Sequence, residues 1–129
     1  MARRPVVLSL AALVALVLAV SAYAAYSGVT RVRIVVNPKF YRGPCPATLT
    51  FTGTIFVRRP PVRVEYMWTR SDGATGPRQS LVINSAGQGV TDTWTLGSRG
   101  MRMNVWEQLH VLAPTGINSP TAHVRVNCR

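Results

Sequence analysis

The shortages in this chain limit its chemistry before any motif is read. Its 129 residues hold four acids (Glu65, Asp72, Asp92 and Glu107), one lysine, two histidines and two cysteines. A nucleophilic triad needs a base held beside its nucleophile and an acid to orient that base. His110 and His123 are the only histidine bases, and no serine lies in a Gly-x-Ser-x-Gly elbow. Paired carboxylates for glycoside cleavage would have to come from four acids scattered over separate segments. No CxxC, HExxH, phosphate-binding loop or dinucleotide fingerprint occurs. The expectation is a non-enzyme without a cofactor.

Only one long apolar run is present. Residues 6–20 are apolar except for Ser9, follow the cationic Arg3-Arg4-Pro5, and lead to the small-x-small Ala22-Tyr23-Ala24. That is the layout of an export signal, and residues 1–24 read as a signal helix cleaved before Ala25. The alternative is an uncleaved anchor, because the run to about Tyr26 approaches the roughly 20 residues that a membrane helix needs. The alanine-rich end and the lack of charge until Arg31 favour cleavage. No cysteine follows the run to carry a lipid. A secreted protein is expected, with the membrane-anchored form (domain outside) as the alternative. Residues 29–129 then form one domain, close to the size of a single immunoglobulin-like sandwich.

Against the four acids stand fourteen arginines and Lys39. The net charge is +11, and removing Arg3 and Arg4 with the signal leaves 13 − 4 = +9. Such a charge favours polyanions or membrane surfaces and says nothing about fold.

The mature chain alternates with the period of half-buried strands. Residues 31–36 alternate basic and apolar side chains, and Tyr41 to Pro46 reads as a proline-rich turn. In 47–57, Leu49, Phe51, Gly53, Ile55 and Val57 share one face, and Thr48, Thr50, Thr52 and Thr54 share the other. Val62, Val64, Tyr66 and Trp68 define the inner face of a third strand, closed by Arg70-Ser71-Asp72-Gly73. Further strands are expected at 79–84, 90–96, 101–113 and 121–127, with a loop at 114–118. In 101–113 Leu109 and Val111 share a face that Trp106 does not, so Trp106 packs elsewhere or a bulge near Glu107 shifts the register. Seven short strands joined by turns imply an all-β Greek-key sandwich, immunoglobulin-like in size, with Trp68 and Trp94 in its core.

Two cysteines in an exported protein default to a disulfide. In such a sandwich the second strand begins at the end of the domain where the seventh finishes. Cys45 and Cys128 are therefore expected to meet there, rather than cross the core.

Cys45-Pro46, Phe51-Thr52-Gly53-Thr54-Ile55, Tyr66-Met67-Trp68-Thr69-Arg70-Ser71-Asp72-Gly73, Thr93-Trp94-Thr95-Leu96-Gly97 and Val126-Asn127-Cys128 together resemble a family of small exported bacterial Ig-like domains, most often actinobacterial. The resemblance covers about residues 29 to 129 and implies the Ig-like fold without a known activity. The antibody pattern is absent, since no cysteine sits on the sixth strand.

The candidate site residues are few. Arg63, Arg102 and Arg125 are placed on the outer face of the sheet made by the third, sixth and seventh strands, where they offer a surface for a polyanion. Trp106 is a candidate exposed aromatic contact. If the last two strands pair through a loop centred near Gly116, His110 and His123 become cross-strand neighbours. That is a weak candidate pair for a metal, which would lack a third protein ligand. The expected function is an exported, non-enzymatic Ig-like module that binds or supports an extracellular or envelope partner. The alternative is an envelope module for polyanions or carbohydrate. Nucleic acid is not an expected partner, because export separates the two.

Overall fold

A computed structural model describes residues 28–129; the expected signal segment lies outside them. The described chain folds into two β-sheets. Its strands are β1 (Val29–Asn37), β2 (Phe40–Gly43), β3 (Ala47–Val57), β4 (Val62–Arg70), β5 (Gln79–Ile83), β6 (Gly87–Leu96), β7 (Arg102–Ala113), β8 (Ile117–Asn118) and β9 (Ala122–Cys128). One sheet has the order β1-β3-β6. The other has the order β2-β9-β7-β4-β5, with β8 paired to β7. This is the expected all-β sandwich, with two short strands added.

Alternation builds the core. Every odd residue of β3 from Ala47 to Val57 is buried, and the even ones face outward. β4 buries Val62, Val64, Tyr66 and Trp68, while β7 buries Val105, Glu107, Leu109 and Val111. Phe51, Leu49, Ile55, Leu109, Val64 and Val124 meet between the sheets with almost no surface exposed. Trp68 and Trp94 are both buried. The facing sheet leaves no room for a side chain at Gly53, where an added Cβ would lie 2.3 Å from Leu109 Cδ2.

On the outer face of the smaller sheet, Thr48, Thr50, Thr52 and Thr54 stand beside Thr95, Thr93 and Thr91 of β6. Thr48 and Thr95 share a hydroxyl hydrogen bond of 2.9 Å. Branched side chains suit such a pleated surface.

The first added strand lies where a proline-rich turn was expected. Phe40–Gly43 runs parallel to β9, with Phe40 opposite Arg125 and Gly43 opposite Cys128. Pro38, Pro44 and Pro46 flank it and hide it from a composition-based reading. The second, β8, shortens the loop after β7. The hairpin therefore centres on Pro114, with His110 opposite Asn118. The register then slips by one residue, so that Trp106 faces His123. Ser119 fills the slip: its N–H donates to the Leu109 carbonyl, and its Oγ accepts from the Leu109 N–H.

The cysteines are joined, with Cα atoms 5.4 Å apart. The bridge ties the lead-in to β3 to the end of β9, at one end of the sandwich. Gly97 (φ +92°) passes beside it, where a Cβ would come 2.8 Å from Cys128 Sγ.

Candidate functional site

Register places a set of basic and aromatic side chains on the outer face of β2, β9 and β7. Alternation along β9 turns Ala122, Val124 and Val126 inward, and His123, Arg125 and Asn127 outward. Arg42, Asn127 and Arg102 form one row across the three strands, and Phe40, Arg125 and Asn104 form the next. His123 and Trp106 continue the grid on β9 and β7. Phe40 is 54% exposed, a large apolar surface for one side chain, while Trp106 is half-buried. Two shallow depressions of about 460 and 450 Å³ meet at Phe40, Asn104 and Arg125. Arg102 and Asn127 close one, and Lys39 and His123 close the other.

No side-chain carboxylate offsets this surface, because all four lie elsewhere. Glu65, on β4, pairs with Arg78 at 3.7 Å. Asp72 accepts the Ala74 N–H inside its own turn. Asp92 and Glu107 both bind Arg70. The positive potential of Arg42, Arg102 and Arg125 is therefore not offset by a neighbouring side-chain acid.

Of the predicted arginines, Arg102 and Arg125 come together and Arg63 does not join them. Arg63 is exposed on the same sheet, but β4 runs antiparallel to β7 and Arg70 faces Glu107. Arg63 lies seven residues from that crossing one way and Arg102 five the other, a separation of roughly 40 Å along the strands. Phe40 and Arg42 were missed because β2 was read as a turn; the Phe-x-Arg alternation was their only signal.

The register also separates the histidines. His123 faces Trp106, four residues along β7 from His110, which puts the two roughly 13 Å apart. The expected pairing around Gly116 fails because the hairpin turns at Pro114. With Asn118 Oδ1 as acceptor, His110 donates from Nδ1 (2.8 Å), and its Nε2 accepts from the Thr69 hydroxyl (2.7 Å). His123 Nε2 bonds the Thr121 hydroxyl at 2.8 Å. Among the described residues, no three His, Cys, Asp or Glu side chains gather to hold a metal ion.

A second polar cluster closes the edge between the sheets. Arg70 ends β4 and reaches β6 in the other sheet. It donates from Nε to Glu107 Oε1 (2.6 Å) and from Nη2 to Asp92 Oδ2 (3.1 Å) and the Thr93 carbonyl (2.9 Å). Its guanidinium lies 5.0 Å from the centre of the Trp94 ring. Ser71 continues the clasp: its N–H donates to the Trp106 carbonyl, and its Oγ accepts from the Trp106 N–H. Gly73 (φ +88°) closes the turn with a bond to the Arg70 carbonyl. The Trp-x-Arg-Ser-Asp-Gly stretch thus joins three strands and both sheets, a structural role.

Glu107 is fully buried, and its Oε2 has no hydrogen-bond donor. Its carboxyl is pushed up to about 8, first by burial and then by a hydrogen bond with Asp92 that favours the protonated form, against the pull of Arg70. One arginine faces two carboxyls, so a proton shared between them leaves the cluster neutral.

No family model matches this chain, and no curated protein matches it. Its fold is similar to the CARDB domain of the PF1109 protein from Pyrococcus furiosus. The crystal structure of that domain, in complex with di-metal ions, has a TM-score of 0.55 and 11% identity, covering 79% of this chain and 96% of that one. The solution NMR structure of the same domain has a TM-score of 0.51 and 12% identity, covering 76% and 95%. At such identities the likeness is one of fold: this chain is a small Ig-like β-sandwich module.

Proposed function

We propose that this protein is a non-enzymatic module that works outside the cytoplasm and binds an anionic polymer of the cell envelope through the outer face of β2, β9 and β7. The observation that carries the reading is the grid free of acidic side chains, in which Arg42, Arg102 and Arg125 surround exposed Phe40 while Glu65, Asp72, Asp92 and Glu107 are engaged elsewhere. The disulfide supports an oxidising location, where such bonds persist, in keeping with the export signal expected at 1–24. The surroundings of the histidines support the absence of catalysis. His110 lies between a hydroxyl and an amide, without a carboxylate to orient it as a base.

Retention on an immobilised polyphosphate column tests the reading. Binding should fall steeply with salt. Arg102→Ala/Arg125→Ala should elute at clearly lower salt than Arg31→Ala/Arg33→Ala, which removes the same charge from β1. Equal elution of the two variants would show that net charge alone is responsible and would remove the face from the account.

A further inference from the structure

We infer that the face formed by β2, β9 and β7 holds a linear acidic polysaccharide, with Phe40 stacked on a sugar ring and Arg42, Arg102 and Arg125 paired with its carboxylates. This rests on the anionic-polymer reading above and names the polymer class.

The ligand should be a chain, because the surface is open along its length. The two depressions share Phe40, Asn104 and Arg125, so one groove passes over these residues. Strands lie about 4.8 Å apart and same-face residues step by about 6.7 Å. The grid therefore covers roughly 10 Å across and 13 Å along, a footprint for a short run of sugar rings rather than a single small anion.

Side-chain chemistry separates a sugar from a bare phosphate chain. The exposed Phe40 ring offers nothing to phosphate oxygens but suits the C–H face of a pyranose, which stacks by dispersion. Asn104 and Asn127 alternate with the arginines across the rows. An amide both donates and accepts, so it matches hydroxyls, and a polyphosphate has none along its chain. The cations in the rows are arginines, whose planar forks bind carboxylate and phosphate alike in bidentate fashion, so the choice of a sugar rests on Phe40 and the two amides. A single-stranded nucleic acid would call for a series of rings on which successive bases stack, and here only Phe40 stands well clear of the surface.

Calorimetric titration of the purified protein with oligogalacturonate, its carboxyl-reduced neutral counterpart, a polyphosphate of equal charge and a single-stranded DNA oligomer provides the test. Oligogalacturonate should bind best of the four, and the reduced sugar should bind at least about tenfold more weakly. Phe40→Ala should weaken oligogalacturonate about 5–10-fold and leave polyphosphate within about twofold. Phe40 is more than half exposed, so its truncation leaves the core filled, and Phe40→Leu keeps apolar bulk on β2 while removing the ring; it should behave as Phe40→Ala does. Arg102→Ala/Arg125→Ala should weaken both polyanions by at least about tenfold. If Phe40→Ala leaves oligogalacturonate unchanged, or polyphosphate or DNA binds more tightly than oligogalacturonate, the polysaccharide inference falls and the anionic reading stands. If the double arginine variant binds both polyanions as the parent does, the anionic reading falls with it.

Discussion

Glu107 occupies a position between Val105 and Leu109 that alternation along β7 reserves for an apolar side chain. The sequence leaves the register open here, because Trp106 has the opposite parity to Leu109 and Val111, so that either Trp106 packs elsewhere or a bulge lies near Glu107. The structure resolves the conflict without a bulge in 105–111, since Arg70 reaches in from β4 to meet the carboxyl. The consequence is a pH dependence whose sign follows from the raised pKa. Protonated Glu107 is favoured by the fold, so its contribution is fully present below about 4.5 and lost as pH rises to about 8. The parent should lose about 2–4 kcal/mol across that window relative to Glu107→Gln, which keeps the acceptor for Arg70 and has no proton to lose. Urea midpoints at pH 5 and 9 check this; parallel stability curves for the two proteins would contradict it. Arg70→Ala removes the donor from two carboxyls and the stacking on Trp94. Its partial exposure moderates the loss to about 2–3 kcal/mol at pH 7, readable from the same midpoints.

Among the elements, those with clean two-residue alternation were legible and those defined by pairing were not. Residues 47–57 and 62–69 announce their faces by composition, and the neighbours β9-β7-β4 follow from the Greek-key order. β2 and β8 have four and two residues, too short to show a period, and form where β9 has an open edge and where β7 extends past the end of β9. That explains why half of the candidate face was hidden: Arg102 and Arg125 lie on legible strands, Phe40 and Arg42 on an illegible one. Arg63 lies on the expected sheet and faces outward, but far from Arg102 and Arg125, since parity gives the face of a strand but not the position along a neighbour. Gly53 shows alternation serving packing instead of burial, as its missing side chain admits Leu109 and Trp68 between the sheets. Gly53→Ala should cost about 1–3 kcal/mol by chemical denaturation, whereas alanine at the outward-facing Thr52 should cost under about 1 kcal/mol.

At the scale of the whole molecule, one covalent staple and one polar clasp hold the two sheets. The disulfide closes a separation of 83 residues, for which chain entropy gives about 4–5 kcal/mol. Cys45→Ala/Cys128→Ala should lower stability by about that much in equilibrium unfolding, a large share of the total for a domain of this size. Both fasteners act on the inner side of strands whose outer side carries the basic face: the staple ties buried Cys128 at the end of β9 to Cys45 in the lead-in to β3, and the clasp ties buried Glu107 of β7 to β4 and β6. The face can thus meet a ligand without rearranging the fold. Backbone amide shifts during titration with oligogalacturonate test that claim most directly. Shifts should concentrate at Phe40, Arg42, Arg102, Asn104, Arg125 and Asn127, with the threonine face of β3 and β6 unmoved; shifts centred on the threonine face, or spread evenly over every exposed arginine, would contradict binding on the basic face.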